Sequence, residues 1–176
     1  MNHLATSKED ILAASRDLIK ENGWAAVSIR AVASRCSVSA GTIYNYYESK
    51  ADLLSDTIES IWHEIFFHPE DEQVFHDVES CISWIYERLE YGNRQFPGFF
   101  SLHSFGFMRD EKTSGKKRMM KTWGHILNGL CEVLGNDPKV RADVFDQEFT
   151  EKKFADILFS LILVSMIRQD YDPSSV

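Results

Sequence analysis

Four serines, at positions 7, 28, 39 and 49, each stand at the head of an apolar pattern with helical spacing. A serine hydroxyl there accepts a backbone amide that the first helical turn leaves unpaired. Four such caps within fifty residues divide this stretch into short helices and leave little room for any other fold. After Ser7, the residues Ile11, Leu12, Ser15, Leu18 and Ile19 share one face. Asn22-Gly23 ends that helix, with Gly23 expected in the left-handed conformation and Trp24 expected to fold back onto Ile19. Ser28 precedes Ile29, Val32, Ala33 and Cys36, while Val38 and Ile43 flank Ser39 as a hydrophobic staple. Ser49 and Asp52 form a capping box that opens a stripe from Leu53 to Phe66. That stripe makes a connector helix of roughly eighteen residues, or ~27 Å.

The rest of the chain also has helical periodicity, without alternating apolar runs or hairpin turns. Pro69-Glu70-Asp71-Glu72 is the natural boundary. The spacing then predicts a helix from Val74 to Leu89 that stops near Gly92, and a short aromatic helix within Phe96–Met108 with an irregular approach through Pro97-Gly98. A further helix runs to a stop at Gly135, and a last one spans Phe154–Ile167, followed by a loose tail from Asp170. The expected fold is all-α: a helix-turn-helix domain with its connector over residues 5–66 and a helical body over residues 67–176.

The formal net charge is −8 over 176 residues. Residues 1–50 carry six basic and five acidic side chains, a net of +1, so the remainder carries −9. A near-neutral head on an acidic body limits non-specific adhesion to nucleic acid and leaves local cations free to act. Cys36, Cys81 and Cys131 have no metal-ligand or disulfide spacing, which fits buried thiols in a reducing cytoplasm. A redox role for Cys36 is the less favoured alternative. The polar first ten residues have no signal-peptide pattern, and the run Ile157–Ile167 is too short to span a bilayer. The expected location is the cytoplasm. His63 and His68 are five apart, off a common helical face, so no metal site and no cofactor are expected. No nucleophile–base order, carboxylate pair or phosphate loop supports an enzyme.

Three helices with a tight helix-turn-helix form a DNA-reading unit when the last can enter a major groove. Ile43 and Tyr47 face inward by spacing, which leaves Ala40, Gly41, Thr42, Tyr44, Asn45 and Tyr46 on or near the outer surface beyond the Ser39 cap. Gly41 permits close backbone approach, and Thr42 and Tyr44 offer hydroxyls to phosphate. Lys50 adds a cation beside the free amides of the connector helix. Ala40 has no hydrogen bond to offer a base and is limited to a thymine methyl.

The run Val38-Ser39-Ala40-Gly41-Thr42-Ile43-Tyr44-Asn45-Tyr46-Tyr47-Glu48-Ser49-Lys50-Ala51-Asp52-Leu53-Leu54 resembles the recognition-helix signature of the TetR family of bacterial transcriptional regulators. The resemblance covers about residues 7–66. It implies that Ser28 caps the second helix and touches phosphate and that Arg30 approaches phosphate or a base edge. It places Ala40 and Gly41 near bases, with Thr42, Tyr44, Tyr46 and Lys50 on the backbone. It also implies a body that binds a small effector and forms a homodimer. Two positions depart from the pattern: Ser37 replaces the usual Gly of the bend, and Tyr47 stands where Phe is commoner.

Trp62, Phe66, Trp84, Phe100, Phe105, Met119 and Trp123 are bulky enough to line an apolar cavity, with His103 and His125 as its polar groups; ordinary core is an equal reading of each. Lys116, Lys117, Arg118 and Lys121 read as a solvated helix face. The last helix is apolar around most of its circumference, so Phe154, Leu158, Leu161, Ile162 and Ser165, with Leu127 and Leu130, are expected to form a two-fold interface. The resulting expectation is a homodimeric repressor of double-stranded operator DNA, released by a small, largely apolar or aromatic effector. The alternative is a DNA-bound structural or cell-division protein whose body recruits a protein partner.

Overall fold

Each of the four serines caps a helix. The hydroxyls of Ser7, Ser28 and Ser39 accept the amides of Asp10, Ala31 and Thr42 at 3.1 Å, and that of Ser49 accepts the Asp52 amide at 3.2 Å. In the computed structural model, residues 6–66, 75–100, 114–141 and 143–175 are described, excepting the side chains of 114–119, 121, 122 and 175. They form α1 (Lys8–Asn22), α2 (Ile29–Arg35), α3 (Ala40–Tyr44), α4 (Lys50–Phe66), α5 (Val78–Gln95), α6 (Ser114–Asn136) and α7 (Glu151–Arg168). No strand occurs among the described residues. The expected boundary at Pro69–Glu72 lies outside them, as do His68, His103, Phe105 and the side chains of Met119 and the 116–121 basic run.

Helices α1 to α3 close on Ile11, Ile19, Val27, Val32 and Ile43, all fully buried, with Tyr47 beside them. Gly23 ends α1 at φ 76°, ψ 174°, an extended conformation open to glycine alone rather than the expected left-handed one. Trp24 then sets its ring 6.2 Å from that of Phe99 in the body. In the bend between α2 and α3, Ser37 adopts φ 56°. Its amide bonds the Ser34 carbonyl at 3.1 Å while Val38 reaches back to Ala33 at 2.9 Å. These two bonds hold a non-glycine residue in the left-handed region.

Helix α4 belongs to both halves. Its Glu64 takes Arg16 at 3.1 Å and Lys20 at 2.7 Å from α1, and Asp56 takes Lys8 at 2.6 Å. One residue on, buried Ile65 presses onto α5. A Cβ added to Gly92 would stand 2.6 Å from Ile65 Cδ1 and 3.0 Å from the Phe100 ring. Gly92 is therefore a crossing point inside α5, not the stop expected there; the helix continues to Gln95. Arg88 donates to the carbonyls of Ile65 and Glu64 in the last described turn of α4.

Helix α6 packs against α4, α5 and α7. A buried hydrogen bond of 2.8 Å between the hydroxyls of Tyr86 and Ser165 ties α5 to α7. Phe96 to Phe100 form an irregular turn through Pro97-Gly98, as expected, with Gly98 at φ 77°; the rest of the expected aromatic helix lies outside the described residues. The tail is less loose than expected. The Asp170 amide bonds the Ser165 carbonyl at 3.0 Å, and burial pushes the Tyr171 hydroxyl up to about 12.

Ser37→Gly should raise stability by about 0.5–1 kcal/mol, since relief of left-handed strain exceeds the added freedom of the unfolded chain. Urea denaturation checks this; an unchanged or lower midpoint would show that the bend is not strained.

Candidate nucleic-acid interface and body cavity

Six basic side chains lie in residues 1–50, and the fold treats them unequally. Lys8 and Lys20 are taken by α4 carboxylates, and Arg16 by Glu64 and Glu9. Arg35 makes a two-point contact with Glu21 at 2.6 and 2.5 Å, which raises its pKa and lowers that of Glu21. Arg30 and Lys50 form no ion pair or hydrogen bond with any described residue, and both are exposed. Arg30 is the second residue of α2 and Lys50 the first of α4. A cation at a helix start opposes the positive end of the helix dipole. An anion held from outside reverses that penalty, so both positions suit a polyanionic partner.

Between them, α3 is only five residues long, and Tyr44 is 55% exposed. Gly41 and Asn45 are exposed as well. A Cβ on Gly41 would meet nothing closer than Ser39 Oγ at 3.5 Å, so internal packing does not demand glycine there. Backbone approach by an external surface is the remaining steric use. Ser28, Ala40 and Thr42 are half-buried, and the Thr42 and Ser39 hydroxyls share a 3.0 Å hydrogen bond. Tyr46 departs from its expected outward position. It packs against the core and donates its hydroxyl to the Thr6 carbonyl at 2.6 Å, so it has no proton left for a phosphate. Burial pushes the Cys36 thiol up, away from the lowered range of reactive thiolates.

In the body, a cavity of ≈ 410 Å³ opens between α5, α6 and the end of α4. Of the expected cavity residues, Phe66 and Trp84 line it, together with His125. Trp62 and Phe100 are instead buried in the core, their rings tilted to each other 5.6 Å apart, and Trp123 packs edge-on to Phe159 at 5.6 Å. Sequence reasoning missed Phe75, Cys81, Ile85, Ile126, Gly129 and Val133. Their signal was present: Cys81, Trp84 and Ile85 share one face of α5, as Ile126, Gly129 and Val133 share one face of α6. Leu130, expected at a subunit interface, also lines this cavity. Burial pushes the Cys81 thiol up to about 11.

The expected interface on α7 needs correction. Leu158, Ile162 and Ser165 are buried within the chain, and Phe154 and Leu127 are half-buried. Leu161 is exposed, in a stripe with Ile157, Val164 and Ile167 at 40–49% exposure. The outward apolar face is thus rotated from the expected one. The Tyr86–Ser165 bond fixes which face of α7 turns in.

The profile of the family described as bacterial regulatory proteins, tetR family, matches residues 11–57. The HTH-type transcriptional regulator UidR of Escherichia coli K12 is 38% identical over 48 residues, which are 27% of this chain and 24% of UidR. The match therefore spans about a quarter of that relative's length. Likeness in fold extends further. A transcriptional regulator from Rhodococcus sp. Rha1 superposes with a TM-score of 0.68 at 18% identity, over 96% of this chain and 86% of that one. FadR of Bacillus subtilis, solved in complex with stearoyl-CoA, gives 0.62 at 18% identity, over 92% and 86%. The head of the chain, over residues 11–57, thus resembles the tetR family of bacterial regulatory proteins, and the chain as a whole shares the all-helical fold of those structures. No described helix is long and apolar enough to cross a membrane.

One rim of the cavity is held by carboxylates. Asp137 accepts the amides of Val78 at 2.9 Å and Lys139 at 2.8 Å, joining the start of α5 to the end of α6. Asp77 caps α5 through Ser80 and takes Lys139 at 2.9 Å. The hydrogen bonds from Ser80, then Lys139, hold the Asp77 carboxyl well below the usual carboxylate range. A depressed folded-state pKa gives stability that is present above the unfolded value near 4 and lost as pH falls below it. Asp77→Asn should therefore lower the melting temperature at pH 7 and flatten its fall between about pH 5 and 2. Thermal melts across that range check this; an unaltered acid limb would remove Asp77 from the linkage.

Proposed function

We propose that the chain is a DNA-binding transcriptional repressor that works as a homodimer and leaves its operator when a small, largely apolar or aromatic effector enters the body. The division at residues 5–66 and 67–176 separates the two tasks. One observation carries the DNA reading. Four of the head's six cations are neutralised internally, and the two with no partner among the described residues, Arg30 and Lys50, lie in the helices before and after α3, whose Gly41 and Tyr44 are exposed. Ser28, Ser39, Thr42 and Asn45 add hydroxyl and amide groups around it, while Ala40 and Gly41 come closest to bases. Backbone grip dominates in this arrangement, and hydrogen-bonded base readout falls mainly to Arg30 and Asn45.

The cavity supports an effector more than a protein partner, because recruitment of a protein requires no internal volume. Helix α4 supports the coupling: Lys50 begins it on the DNA side and Phe66 ends it in the cavity wall. Its seventeen residues span roughly 25 Å at 1.5 Å per residue. Ring contacts run from Trp24 of the head through Phe99, Trp62 and Phe66 to Trp84, each step within 6.2 Å. An effector that prefers another setting of α4 lowers DNA affinity by that preference alone. The stripe Ile157, Leu161, Val164 and Ile167 is the surface for a second copy, which would set two heads on successive major grooves about 34–36 Å apart.

Lys50→Ala should reduce the slope of log affinity against log salt by about one unit on specific and random duplexes alike, whereas Lys8→Ala, already paired, should leave it unchanged. Fluorescence anisotropy measures both; an unchanged slope in Lys50→Ala would remove it from the phosphate contacts. Leu161→Asp should sediment as a folded monomer and lose operator binding, and a persistent dimer would place the interface elsewhere.

A further inference from the structure

We propose that the body cavity selects an amphipathic organic cation, an aromatic or alicyclic group carrying an ammonium; this rests on the effector reading of the same cavity. Three aromatic side chains gather at one end of it. The Trp84 ring lies 5.8 Å from Phe66 and 5.3 Å from Phe75, both tilted to it. The face of an aromatic ring attracts a cation and disfavours an anion. Among the described residues the lining includes one carboxylate, Glu132, and no lysine or arginine. Glu132 forms no ion pair with any described residue, so its charge is available to a ligand.

The remaining polar lining groups are His125 and Asn136. The Asn136 amide nitrogen donates to the Glu132 carbonyl at 2.7 Å, leaving its oxygen as a further acceptor. Acceptors thus outnumber donors at this wall, as an ammonium requires. The whole chain, at −8, adds an attractive field for cations. A volume of ≈ 410 Å³ suits a bicyclic ligand with a short substituent. An acidic ligand would meet the Glu132 charge with no cation among the described lining to offset it.

Three probes of one shape separate the contributions: 1-naphthylmethylammonium, 1-naphthalenemethanol and 1-naphthoate, titrated calorimetrically into the full chain. The ammonium should bind about tenfold or more tightly than the alcohol, and the carboxylate more weakly than either. Glu132→Gln should bring the ammonium close to the alcohol and leave the alcohol unchanged. Gly129→Leu fills the cavity, since no atom lies within 4 Å of an added Cβ there, and should abolish all three without lowering the melting temperature. Equal binding of ammonium and alcohol, both lost in Gly129→Leu, would overturn the charge selection and keep the cavity as the effector site. A preference that survives Glu132→Gln would overturn the role of Glu132. Absence of binding by all three probes, or binding indifferent to Gly129→Leu, would overturn the cavity reading and this proposal with it.

Discussion

Glu64 neutralises Arg16 and Lys20 of α1, and the next residue of the same helix, Ile65, is pressed onto Gly92 of α5. These adjacent contacts hold the head to one side of α4 and the body to the other. Neither depends on a flexible linker. The ion pairs are partly buried and mutually supporting, which makes them stronger than isolated surface pairs. The Ile65–Gly92 contact is close-packed, since a Cβ at Gly92 would force the Ile65 side chain and the Phe100 ring to shift. A shift of α4 is thus felt at both ends, in the placement of Lys50 and in the cavity wall at Phe66.

The distribution of charge follows from the same docking. Carboxylates of α1 and α4 use up Lys8, Arg16, Lys20 and Arg35 within the protein, so the +1 of the first fifty residues is not spread evenly over the surface. What remains is local: Arg30 and Lys50 beside a short helix with small or hydroxyl-bearing side chains. An acidic protein can in this way offer a local cationic surface, the one proposed to face DNA, without a general affinity for polyanions. In the body the arrangement is reversed, with aromatic side chains and, among the described residues, a single carboxylate around the cavity.

Much of the head was legible because its signals are local. A serine cap, an apolar spacing and the Ser37 bend each act within a few residues, and the structure has four caps and a positive φ at Ser37. Tyr46 was misplaced because its partner, the Thr6 carbonyl, is forty residues away in sequence. Gly92 reads as a helix stop in the sequence, since a glycine that ends a helix and one that admits a neighbouring helix look alike until that neighbour is known. The apolar faces of α7 had the same ambiguity: apolar on nearly every side, the helix contains no sequence mark of which side turns in.

The sequence by itself determined the helices, the helix-turn-helix and the small, hydroxyl-rich surface of α3, because caps and periodicity are short-range. Tertiary structure decided which cations stay free, which aromatic residues wall a cavity and which stripe of α7 faces outward. Those outcomes rest on contacts between residues distant in the chain, such as Lys20 with Glu64, Gly92 with Ile65 and Tyr86 with Ser165. Each depends on the relative placement of whole helices, which local spacing does not encode.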